Sequence, residues 1–197
     1  MKVRQNGQWK NLGGIDVGKF GNYTLLTPEM ISGTLGDTSQ RYIGTATHLI
    51  IDDSFPTNSL NSLFRDNQTL KSLVILTNKI TDMTNIFNSI GSQFESLFIN
   101  TSNVIDMTSM FNDSQATSLD LSSFDTSKVT DMTSMFNGSQ ATTLDLSSFD
   151  TSKVTDMTSM FNGSQATIGY ARTQADADRF NASSGKPAGL VFVVKGT

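Results

Sequence analysis

Apolar residues along this chain recur in two rhythms. The first has a period of two: Leu119 and Leu121, and again Leu144 and Leu146, flank a single polar residue, as in a short strand with one buried face. A turn-forming SSFDTSK follows, rich in side chains that bond their own backbone. In the VTDMTSMF after it, Val129, Met132 and Phe136 fall at i, i+3 and i+7, one face of a short helical stretch. An extended Val-Thr-Asp-Met running into a single helical turn fits the same letters. Asn137-Gly138 and Asn162-Gly163 then supply residues suited to positive φ.

These rhythms repeat at a fixed distance. Leu119–Thr142 and Leu144–Thr167 are identical over 24 residues, offset by 25. The landmarks reappear in SLFINTSNVIDMTSMFN (Ser96–Asn112), in SLVILTNKITDMTNIFN (Ser72–Asn88) and, more faintly, in HLIIDDSFPTNSLNSLFRDN (His48–Asn67). Five units therefore begin near His48, Ser72, Ser96, Ser118 and Thr143. No unit this small encloses its own core, so each must stack on the next. The predicted fold is an α/β leucine-rich-repeat-like solenoid, with a parallel sheet on one side, short helical turns on the other, and a cap at each end.

Three regions follow. Residues 47–167 hold the five-unit solenoid. Residues 168–197 form a C-terminal cap: Ile168 and Tyr170 continue the Leu-x-Leu register as a sixth strand, Thr173 with Asp176 opens a helix over Ala175–Asn181, and LVFVV (Leu190–Val194) reads as a buried last strand. Residues 1–46 form an N-terminal cap or docking segment, with a type I′ hairpin signal at Asn6-Gly7 and a helix start at Thr27-Pro28-Glu29.

The run LDLSSFDTSKVTDMTSMFNGS closely resembles the repeat of BspA-like bacterial surface proteins, the family of domain of unknown function 285. The likeness is strong over Ser72–Thr167, weaker over His48–Lys71, and extends to GYARTQADADRFNASSGKPAGLVFVVK (Gly169–Lys195), which looks like the tail closing such arrays. It implies a right-handed solenoid displayed on bacterial surfaces, on some protozoa or encoded in phage genomes, with adhesion as the usual role. Where that family often carries Cys, this chain has Ser114, Ser139 and Ser164.

Composition narrows the function. Net charge is −4, so neither a nucleic-acid backbone nor an anionic membrane is an expected partner. With no Cys there is no disulfide or thiol chemistry. No apolar run approaches the roughly 20 residues of a membrane span, and MKVRQNGQWK lacks the apolar core of a secretion signal. One His (His48) and two Glu (Glu29, Glu95) leave little for acid–base catalysis. The expectation is no enzyme and no cofactor.

Several residue columns invite a functional reading. Asp82, Asp106, Asp131 and Asp156 recur at one place and Asp125 with Asp150 at another, but without a calcium-loop spacing they read as turn caps, and no metal site is expected. Met83, Met107, Met132 and Met157 read as core filling. The outward strand positions differ: Ile50, Val74 and Phe98 are apolar where Asp120 and Asp145 are acidic. An apolar row on an outer face is either covered by the N-terminal segment or is a partner surface. These five residues are the candidate ligand contacts. The expected function is recognition or adhesion toward a protein or glycan, on a cell surface, outside the cell or on a virion. The alternative is a spacer or assembly subunit, such as a phage tail component, that self-associates through Ile50, Val74 and Phe98.

Overall fold

The computed structural model describes residues 23–196, together with the backbone pairing of two strands near the N-terminus. Those strands, β1 (Lys2–Gln5) and β2 (Gln8–Asn11), run antiparallel with Gln5 opposite Gln8. This is the hairpin expected around Asn6-Gly7, whose own turn lies outside the described residues. Next come β3 (Thr24–Leu25), a 3-10 turn at Pro28–Met30, and the antiparallel pair β4 (Ile31–Ser32) and β5 (Arg41–Tyr42).

The remainder is a parallel β-solenoid of about seven turns. Strands β6 (His48–Ile51), β7 (Ser72–Ile75) and β8 (Ser96–Ile99) stack in parallel with equivalent residues paired, and β3 adds to the β6 edge. A second sheet holds β9 (Thr143–Leu146), β10 (Ile168–Ala171) and β11 (Val191–Val194). One continuous core runs from Leu26 to Phe192.

The opposite wall is made of turns, and the hydrogen bonds say why it is not helical. Along Met83–Ile90, the N–H groups of Met83, Asn85, Phe87 and Ser89 donate to the next coil, at Asp106, Thr108, Met110 and Asn112. Those of Ile86, Asn88 and Ile90 donate three residues back, closing consecutive β-turns. A helix would direct every N–H along its own axis. Here alternate ones cross between coils. The arrangement needs left-handed backbone at two places per coil, occupied by Asn85, Ser109, Ser134 and Ser159 in one column and by Ser89, Asp113, Gly138 and Gly163 in the other. The Asn-Gly signal foretold only the last two. Of the two readings of VTDMTSMF, the extended segment leading into a turn is the one adopted.

Aromatic rings form a spine inside the coil. Phe87, Phe111, Phe136 and Phe161 stack nearly parallel at 5.3–6.1 Å between centroids, and Phe64 extends the row. Tyr42 tilts against one end, while Phe180 and Phe192 turn across the other. The Leu column of the strands finishes at Gly169 and Ala171, which pair with Leu144 and Leu146, and not at Ile168 and Tyr170 as the Leu-x-Leu register predicts. A Cβ at Gly169 would lie 2.2 Å from the Phe192 ring. The missing side chain is the space that ring fills.

The fourth rung departs from expectation. Ser118–Leu121 forms no strand, and the sheet divides there. Nine residues separate Leu97 from Asp106, but twelve separate Leu119 from Asp131. The core aromatic also changes place, from Phe94 before the strand to Phe124 after it. Coils of unequal path length cannot keep one backbone register. Hydroxyls bridge the mismatch: Ile99 N–H donates to Ser123 Oγ at 3.2 Å, and Ser148 Oγ donates to the Leu121 carbonyl at 2.9 Å.

The C-terminal cap replaces the coil that would come next. Within the array, the Thr126 hydroxyl accepts the Asp150 N–H at 2.8 Å and donates to its carbonyl at 3.0 Å. In the last coil Thr151 occupies that position, and its N–H and hydroxyl both donate to Asp176 Oδ1. Asp176 lies on helix α1 (Gln174–Asn181), whose N-cap is Thr173 as predicted. Arg179 donates to the Thr151 and Val154 carbonyls at 2.7 and 2.5 Å. Asn181 closes the outer edge of β11, donating to the Phe192 carbonyl at 2.9 Å and accepting its N–H at 3.0 Å.

Because the coils are identical, removing one should leave each cap contact a matching partner. Deleting Thr143–Thr167 joins Thr142 to Ile168 and presents Asp125, Thr126 and Val129 where Asp150, Thr151 and Val154 stood. We expect a single unfolding transition in urea, with a slope lower by about one eighth, the share of residues removed. Two separated transitions would contradict coil-by-coil stacking.

Candidate recognition face

The outer face of the sheet is built by the residues that alternate with the core leucines. Strand pairing puts Leu25, Ile50, Val74 and Phe98 in one column, and Asp145, Tyr170 and Val193 in its continuation. Asp120 falls between them on the unpaired fourth rung.

The five candidate contacts do not share one environment. Ile50 and Val74 are 1% and 2% exposed, and Tyr23, Leu25 and Leu76 pack against them. Tyr23 and Leu25 precede the repeats, so the N-terminal segment contributes cover to this end of the face. Burial raises the Tyr23 phenol above its ordinary value, with Ser72 beside it drawing the other way. The Tyr23 ring stands edge-on to His48 at 5.9 Å, and His48 Nδ1 lies 2.8 Å from Thr47 Oγ1. As they stand, Ile50 and Val74 offer nothing to a ligand.

Phe98 is different. It is 38% exposed, on the last rung before the sheet divides. Asp120 is exposed too, but its carboxylate closes a turn, accepting from Ser122 N–H at 3.0 Å and Ser122 Oγ at 2.6 Å. Asp145 is half-buried and pairs with Lys195 Nζ at 2.5 Å. Burial pushes the Asp145 carboxyl up, but hydrogen bonds from Lys195 and Ser147 outweigh it and hold the group below the usual range. The Asp145 carboxylate is thus committed to partners within the protein, while Asp120 uses only Oδ1 in its own turn.

The structure adds residues that sequence reasoning missed. Val191 and Val193 are 53% and 47% exposed, and Ile168 beside them is 49% exposed. LVFVV is therefore buried on one side only, through Leu190 and Phe192. The signal was present: carrying the strand alternation into Leu190–Val194 points the two valines outward. With half-buried Tyr170 they form an apolar patch at the C-terminal end of the face.

The remaining columns are structural. Asp82, Asp106, Asp131 and Asp156 each accept the N–H two residues ahead, at Thr84, Thr108, Thr133 and Thr158, at 2.8–2.9 Å. Those bonds depress the Asp156 carboxyl, the Thr158 hydroxyl first. Met83, Met107 and Met132 are buried and Met157 partly so. Ser114, Ser139 and Ser164 are buried, their hydroxyls accepting from the N–H of Ala116, Ala141 and Ala166. Among the described residues no helix is long and apolar enough to cross a membrane.

Stacked parallel coils, a ladder of turns and an aromatic spine define a β-solenoid repeat protein. The sequence pattern described as "Mycoplasma protein of unknown function, DUF285" matches residues 58–171, and the chain belongs to that family. No curated protein and no solved structure matches it.

Proposed function

We propose that this protein is a non-catalytic recognition module, displayed outside a cell or on a virion, that holds a protein or glycan ligand on the outer face of its sheet. One observation carries the reading: the apolar column is sealed at Ile50 and Val74 but open at Phe98, with a second open patch at Ile168, Val191 and Val193. Aromatic and β-branched side chains on a rigid sheet provide contact area at small entropic cost. Asp120 adds a polar neighbour.

The test is attachment to glycans, matrix proteins and whole cells, comparing the parent protein with Phe98→Ser and with Val191→Thr/Val193→Thr. Folding is checked by circular dichroism. We expect a loss of about tenfold or more in affinity for the variant that carries the hot spot. Unchanged binding by both folded variants, or no binding by the parent, would overturn the reading. If the parent instead self-associates in sedimentation and these substitutions abolish that, the assembly-subunit alternative takes its place.

A further inference from the structure

The repeated segment places the dipeptide Asn-Gly in two consecutive coils with the same flanking sequence and the same left-handed glycine, yet only one of the two is locked. Gly138 and Gly163 have φ of +67° and +68°. The Gly138 N–H donates to the Asn162 carbonyl at 2.8 Å, a rung of the turn ladder. Gly163 stands at the same rung of the last coil, where the next coil is absent. The cap serves several other groups there: Ser183 Oγ donates to the Met157 carbonyl, Ser159 N–H donates to Ser184 Oγ, and Arg179 and Asp176 take Thr151 and Val154. It stops short of Gly163, whose N–H meets no acceptor among the described residues. Asn137 and Gly138 are half-buried, whereas Asn162 and Gly163 are exposed.

We propose that Asn162 is a site of spontaneous deamidation, and that Asn137 is protected by its ladder bond. In the reaction the Gly163 amide nitrogen, having lost its proton, attacks Asn162 Cγ. A new bond from that nitrogen to Cγ closes a succinimide. The bond from Cγ to the carboxamide Nδ2 breaks, and Nδ2 leaves as ammonia carrying the proton. One water then opens the ring at either carbonyl, giving an aspartyl or an isoaspartyl residue. A hydrogen-bonded amide must first give up its acceptor and pivot out of the turn, while a solvated one is free to do so. Glycine favours the step at both sites, having no Cβ to obstruct the approach. The isoaspartyl product routes the backbone through the former carboxamide arm. It thereby alters the Asn162 carbonyl to which the preceding coil bonds, so the change weakens the array from its final coil.

The two sites separate cleanly. Cleavage after Lys128, Lys153 and Arg172 yields Val129–Lys153 and Val154–Arg172, which carry Asn137 and Asn162 in different sequences. The intact protein is incubated at mildly alkaline pH, and the mass gain in each peptide is followed over time. A second sample unfolded in guanidinium supplies the intrinsic rate of each site. We expect the folded-to-unfolded rate ratio to be about three- to tenfold higher at Asn162 than at Asn137, the factor that one amide hydrogen bond makes. Equal ratios, or a higher one at Asn137, would overturn the proposal.

Discussion

Replacing Phe136 with alanine should destabilise the protein by about 3–5 kcal/mol, the largest effect expected of any single substitution here. The ring is fully buried and lies between Phe111 and Phe161, within 3° of parallel to both. Removing it deletes one apolar side chain and two ring–ring contacts, and coils tied by backbone bonds on two walls cannot collapse into the gap. Neighbouring coils in a linear stack communicate only across their shared interface, and these rings lie at its centre. The urea transition should therefore move to a lower midpoint and become shallower as the two halves lose coupling. Phe136→Leu, which keeps most of the volume, should cost about half as much or less. If the alanine variant lost under about 1.5 kcal/mol, the spine would not be what joins the coils.

The second expectation concerns the cap. Asp176 is 3% exposed, and its carboxylate takes hydrogen bonds from Thr151 N–H and Oγ, Thr173 Oγ and Arg172 Nε. Burial pushes its pKa up, but the bonds from Thr173, Thr151 and Arg172 outweigh burial and leave it below the ordinary value. Arg172 is itself well exposed, so the ion pair contributes little beside the hydrogen bonds. A carboxyl whose folded pKa is depressed stabilises the fold above its unfolded value of about 3.9, and that stability is lost as pH falls through the folded value. Asp176→Asn should therefore cost about 1.5–3 kcal/mol at neutral pH, the range for hydrogen bonds to a charged group. The gap between parent and variant should begin to narrow as pH falls below about 4, the unfolded value, and close as it passes the lower folded value. A gap independent of pH from 7 to 2 would show that the carboxylate's charge plays no part.

Much of this architecture was legible in the letters because a coil repeats its chemistry. Leu144 and Leu146 mark a strand by alternation alone, although the same letters at Leu119 and Leu121 do not form one, and Thr173 with Asp176 marks a helix start. Less legible was anything that depends on what lies in the next coil. Val129, Met132 and Phe136 are spaced as on a helix, yet the segment forms turns, since alternate N–H groups find acceptors one coil away. Serine at 109, 134 and 159 gives no hint of left-handed backbone. The division at Ser118–Leu121 follows from a three-residue difference in path length that is countable in the sequence but has meaning only once the coils are stacked. The face was half legible. Its apolar column could be counted from Ile50 to Phe98, and its reappearance at Val191 and Val193 was implicit in the alternation of Leu190–Val194, while its cover by Tyr23 and Leu25 required the strand pairing.

Asn181 decides how long such an object can be. Nothing inside a stack of like coils tells it where to finish, and its last strand is a template on which another molecule could continue the same ladder, end to end, into a fibre. One carboxamide satisfies both main-chain groups that Phe192 would otherwise offer to a newcomer. A particle of definite size, as opposed to a growing filament, is what that side chain helps to secure by holding its place.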